Sequence, residues 1–136
     1  MARPTIVEMS DGLEARLATI SGLRPHSEPV ENPEAPAALV LFLDREPATN
    51  CGGNIARFAI ELSVESDRPD WSRSLRSMLP YLDEDGTSSV EAAIRADKTL
   101  GGLECNASVT DVSGPGRTQF TNHMRWVAVI NVRVIY

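Results

Sequence analysis

Two cysteines, Cys51 and Cys105, and two histidines, His26 and His123, are the residues from which this 136-residue chain could build a thiol nucleophile and its base. Such a pair needs an accessible thiolate beside an imidazole, because the protonated thiol is a poor nucleophile. Cys51 precedes Gly52-Gly53 in a polar stretch, which predicts exposure, but no nucleophile signature surrounds it. Cys105 falls at an inward position of an expected strand and reads as a small buried hydrophobe. A disulfide between them is not expected in a reducing compartment. A structural metal would need closely spaced ligands, and the chain contains no CxxC or HxxxH. Asp83-Glu84-Asp85-Gly86 lacks the regular acidic spacing and the distal glutamate of a calcium loop, so it reads as a turn that ends a helix. Gly52-Gly53, Gly101-Gly102 and Gly114-Pro115-Gly116 fit neither GxxxxGK[ST] nor GxGxxG and read as turns. Trp71 and Trp126 sit in apolar stripes and read as core. The residues therefore predict no catalytic, cofactor-binding or metal-ligating position, and a protein that is not an enzyme.

Composition sets the remaining bounds. The chain has the length of one domain with a single core. The apolar runs 37–43 and 126–130 are too short to span a bilayer, and no apolar signal segment opens the sequence. No membrane role is expected, and the chain is placed in the cytoplasm unless a larger particle carries it out. A net charge of −6 opposes affinity for nucleic-acid backbones. Of thirteen basic residues only Lys98 is lysine, a bias that points to the codon usage of a GC-rich genome.

The periodicities then place the elements. Thr5 and Glu8 have capping-box spacing, and Ile6, Met9, Leu13, Leu17 and Ile20 step along one helical face, predicting a helix over 5–21. Four prolines and three glutamates in 23–36 predict an extended surface connection. The continuous apolar run 37–43 reads as a strand buried on both faces or bordering an interface, and 44–54 as a loop. Phe58, Ile60, Leu62 and Val64 alternate with Arg57, Glu61, Ser63 and Glu65, the pattern of a half-buried strand over 55–65. Asp70 caps a helix with the stripe Trp71, Leu75, Met78, Leu79 and Leu82, and Ser88 with Glu91 caps a shorter one. Strands follow over 103–112, with Cys105, Ala107 and Val109 inward, and over 124–136. The turn Ser113-Gly114-Pro115-Gly116 lies between them. The expected fold is α+β: one domain over 1–136, a two-layer sandwich of a mainly antiparallel four-stranded sheet with helices on one face, its core in 37–136.

The most distinctive stretch is Ser89-Val90-Glu91-Ala92-Ala93-Ile94-Arg95-Ala96-Asp97-Lys98-Thr99-Leu100-Gly101-Gly102, followed by a Val-Thr-Asp-Val strand. With the N-terminal helix ending Leu17-Ala18-Thr19-Ile20-Ser21-Gly22-Leu23, the proline-spaced segment and the order of strands, it resembles the tail terminator (tail completion) proteins of long-tailed bacteriophages, especially those infecting actinobacteria. The resemblance implies a structural virion protein of the tail neck, assembled in the host cytoplasm. It implies a homo-hexameric ring that caps the tail tube at full length and joins the head-completion or connector protein. DNA would pass through the axial channel without specific binding, and the acidic balance suits acidic side chains along that channel. No cofactor is implied. Loops carry variable recognition on a rigid scaffold, so 44–54 and 113–123 are the expected contacts to the tube or adjoining rings, with Asn50, Cys51, Asn54, Arg117, Gln119 and Phe120 as candidate residues. Two other readings remain open: another neck component such as a head-completion or stopper protein, and, more distantly, a small enzyme or ligand-binding domain using Cys51.

Overall fold

Thr5 opens the first helix as its spacing predicts: its hydroxyl accepts from the Glu8 N–H at 3.1 Å, and the Glu8 carboxylate accepts from the Thr5 N–H at 3.1 Å. The structure, a computed structural model, describes residues 3–27, 36–47, 53–65, 71–119 and 124–136, with side chains for all of these but 65, 71–74 and 119. Asp70, the expected cap of the second helix, lies outside the described residues. Helix α1 (Ile6–Leu17) buries Met9, Leu13 and Leu17 and ends before the expected residue 21. The chain tightens there, with the Thr19 N–H reaching Arg16 O and the Ile20 N–H reaching Leu17 O. Ile20 still enters the core at 2 % exposure, from a turn rather than from a helical turn.

Within the expected proline-rich connection, Arg24–His26 forms a strand, β1, parallel to β2 (Ala37–Pro47). Pro25 is tolerated because β1 is an edge strand, where one face of the ladder needs no donor. β3 (Asn54–Glu65) and β5 (Met124–Ile135) follow in space, then β4 (Asn106–Gln119), giving the order β1-β2-β3-β5-β4. The α+β class stands, but the sheet has five strands and is mixed. The expected four antiparallel strands are present, and β1 adds a parallel fifth.

Three boundaries differ from expectation for identifiable reasons. β2 runs four residues into the expected loop, to Pro47, because Arg57 of β3 donates to Asp44 at 2.9 Å and also to Glu46, so cross-strand ion pairs extend the ladder past the apolar run. β4 begins at Asn106 instead of 103 and continues through the expected turn at 113–116. Between Ser113 and Gly116 it gains one residue on β5, a bulge in which Gly114 holds φ +94 with its backbone pressed on Val127. Glycine and proline here bend a strand. In α2 (Trp71–Leu82), Met78 is buried but Leu79, expected in the same stripe, is 45 % exposed: adjacent helical residues point about 100° apart, and Met78 takes the sheet side.

Helix α3 (Val90–Ala96) is capped one residue later than expected. Ser89, not Ser88, accepts from the Ala92 N–H at 3.1 Å, and it also donates to Asp83 O, which locks the buried hydroxyl from both sides. Leu100, Gly101 and Gly102 then take φ of +54, +91 and +95, so the corner turns through three left-handed residues. Gly12 of α1 lies so close to Leu100 that a Cβ there would come 2.7 Å from the Leu100 Cβ. Arg16 fastens the same contact by donating to Ala93 O at 3.0 Å. All three helices meet the inward residues Ala38, Val40, Phe58, Ile60, Leu62, Ile130 and Val132 in one buried cluster.

Candidate functional site

The candidate residues that the structure describes, Asn54, Arg117 and Gln119, fall at the two ends of the sheet. Asn54 starts β3, and its N–H and C=O exchange bonds with Tyr136 at 2.6 and 2.9 Å, so the connection after Pro47 leaves from a firmly paired end. Arg117 lies in β4 opposite Trp126, its guanidinium carbon 5.9 Å from the indole centroid, within cation–π range. Gln119 closes β4 opposite Met124, and its side chain lies outside the described residues, as do Asn50, Cys51 and Phe120 altogether. Trp126 lies in β5, and Tyr136, just past its end, is ten positions further on. At the strand rise this separates Arg117 from Asn54 by roughly 33 Å. The structure thus does not bring Asn54 and Arg117 together; it places them beside opposite ends of β5.

The thiol–imidazole pairing finds no support among the described residues. His26 lies in β1 and Cys105 just before β4, the two outer strands, which stand roughly 19 Å apart across four strand spacings. Cys51 and His123 lie outside the described residues. Cys105 is half-buried, not buried as expected, and its thiol is directed at Thr99 O at 3.5 Å. Burial, and next the Asp97 charge, pushes that thiol above its ordinary pKa and keeps it protonated. Among the described residues no group of three or more His, Cys, Asp and Glu side chains could hold a metal ion. Among the described residues no helix is long and apolar enough to cross a membrane.

Charge is handled locally. Arg57 donates to Asp44 and Glu46, and those bonds, Asp44 first, raise the guanidinium pKa above its usual value. Arg95 donates to Glu84 O and pairs with Asp85 of the acidic turn. Asp97 accepts from the Thr99 hydroxyl and from the Thr99 and Gly101 N–H groups; with the hydroxyl bond as the largest cause, its pKa falls below the ordinary carboxylate value.

Two surface features lie outside the candidate residues. The sheet face opposite the helices carries Leu39, Leu41, Val127 and Val129, all half-buried, among Glu61, Asn131 and Arg57. At the β2 edge Phe42 and Leu43 are 46 and 52 % exposed. Their signal was present in the last residues of the run 37–43, which continue apolar up to Asp44 without the alternation of a one-sided strand. On the opposite edge, α3 and β4 enclose a cleft of about 170 Å³ lined by residues of both elements.

No protein-family model matches the chain. No curated protein matches it either.

Proposed function

We propose that this chain, a two-layer α+β sandwich, is a structural, non-enzymatic protein of a phage tail neck: a subunit of a ring that caps the completed tail tube and joins it to the head connector. One observation carries the reading. The two connections expected to make recognition contacts leave the sheet at opposite ends, from Pro47 and Asn54 at one and from Gln119 and Met124 at the other. A ring held between two different neighbours along one axis needs a contact surface at each end of every subunit, and a sheet with strands roughly parallel to that axis provides both. The apolar side chains outside the helix-covered core support self-association, since contiguous exposed apolar surface marks interaction sites. In such a ring a head-to-tail interface closes by rotation. The channel would pass DNA without specific contacts, consistent with a net charge of −6.

The test is the mass of the purified chain alone and with tail tubes, together with its position in intact particles. A closed ring seated between tube and connector is the expected result. Absence of a ring in both conditions overturns the proposal, and density on the head side of the connector junction reassigns the chain to another neck component.

A further inference from the structure

Phe42 and Val109 stand on one cross-strand row. Phe42 pairs with Phe58, Phe58 with Val132, and Val132 with Val109, so the row crosses the whole antiparallel part of the sheet from the β2 edge to the β4 edge. At the first edge Phe42 protrudes, half exposed, and its ring is held edge-on against the buried Phe58 ring with centroids 5.7 Å apart. It is a knob that needs no ordering on contact. At the second edge Val109, Ile94 and Ala107 line the cleft, with Glu91, Arg95 and Lys98 of α3 and the following corner at its rim. The cleft has a volume of about 170 Å³ and opens to solvent, with Ser108 beside its apolar residues.

We infer that the subunits of the ring join by insertion of Phe42, with Leu43 beside it, into the α3–β4 cleft of a second copy of this chain. The inference rests on the ring proposed above and names the surfaces that close it. Repeating the subunit sideways along the strand order carries Phe42 of one copy to Val109 of the next, on the same helix-bearing face. The rows beside it agree. Asp44, which also pairs with Arg57, lies on the outer-face row that ends at Ser108, and Lys98, which lines the cleft with Ser108, has no ion pair among the described residues. Arg45 lies on the row that ends at Ala107, on the helix side, where Glu91 forms the cleft rim. An apolar knob flanked by both signs thus meets a cleft with apolar residues Ile94, Ala107 and Val109 and charges of both signs, Glu91, Arg95 and Lys98. Knob and cleft sit on unlike edges, so the contact is heterologous, as a ring requires. Strand-to-strand addition is disfavoured at the same edges. β2 carries a bulge after Phe42, then Asp44-Arg45-Glu46 and Pro47, and β4 carries two register shifts. The edges are blunted as strands, and the side chains make the joint.

Phe42→Asp removes the knob and keeps the cleft, whereas Val109→Glu removes the cleft and keeps the knob. Each full-length variant is expected to stay monomeric where the wild type forms rings, in free solution or on tail tubes. Mixed one to one, they should form heterodimers of two chains and nothing larger, because one intact knob then faces one intact cleft. Heterodimer formation also shows that both variants are folded. Lys98→Glu, on an exposed side chain, should weaken the ring. Wild-type rings from Phe42→Asp, or a mixture that stays monomeric while both variants melt like wild type, overturn the inference and leave the ring reading standing. If the wild type itself forms no ring, the ring reading falls as well.

Discussion

The two faces of the sheet are built from alternate residues of the same strands, yet they treat apolar side chains differently. On the helix side Phe58, Ile60, Leu62, Ile130 and Val132 are each at most 1 % exposed. On the other side Leu39, Leu41, Val127 and Val129 are only half-buried, interleaved with Glu61, Asn131, Arg57 and Arg133. The first face commits its side chains to one packing arrangement, which is what gives the chain a fold. The second keeps apolar area within reach of solvent and surrounds it with charge, which is how a surface stays soluble while able to associate. The two faces should therefore differ in what a substitution costs the fold, and paired substitutions can test that difference.

Phe58→Ala should have the largest effect. It removes a fully buried ring from the covered face and should cost about 3–5 kcal/mol, read as a lower denaturation midpoint with the same slope. The sharper comparison uses one substitution twice on β5. Val132→Thr puts a hydroxyl into the covered face and should cost about 1–3 kcal/mol. Val129→Thr puts it on the outer face and should change stability by no more than about 0.5 kcal/mol. Equal losses at the two positions would mean that the outer face is sealed as well, and the comparison would collapse.

How far the sequence foretold this division depends on the element. The alternation at Phe58, Ile60, Leu62 and Val64, and again from Trp126 to Val134, gave the covered face correctly because burial on one side of a strand imposes a period of two. The Thr5–Glu8 cap was equally legible, being a contact between residues three apart. What failed to read locally was set by distant partners. Arg24–His26 is a strand only because Ala37, Ala38 and Leu39 lie beside it. Asp44 to Pro47 extends β2 only because Arg57 sits across from it. Ser113 to Gly116 has turn chemistry, yet β5 passes alongside and turns it into a bulge. For the candidate site the same rule holds: the sequence chose the two loops by polarity, but that they leave opposite ends of the sheet follows from strand order. The knob and cleft need a cross-strand register that no single segment contains.

The covered face is closed at its β4 edge by α3 and the corner after it, and a smaller effect shows how. Serine stands at both 88 and 89, but only Ser89 caps the helix. Ser89→Ala should cost about 0.5–2 kcal/mol, the range for losing a cap, whereas Ser88→Ala should leave the thermal midpoint nearly unchanged. The reverse order would return the helix start to Ser88 and shift α3 against the sheet by one residue.

The smallest expected effect lies in the corner itself. Asp97 accepts bonds from Thr99 and Gly101 and thereby holds the three left-handed residues that press Leu100 onto Gly12. Those bonds favour its charged form, so its folded pKa lies below its unfolded one. A carboxyl of this kind contributes stability that is fully present above the unfolded pKa, near 4, and disappears as pH falls through the folded value. Asp97→Asn keeps one acceptor and loses the charge. The wild type should therefore melt slightly above the variant at pH 7, by the same margin down to about pH 5, and the two melting curves should converge between there and about pH 3, the window set by the carboxylate range. A gap that stays constant through that window would mean that the corner depends on the shape of the side chain and not on its charge. The seal at the β4 edge, where the knob of a neighbouring subunit is inferred to dock, would then be insensitive to acid.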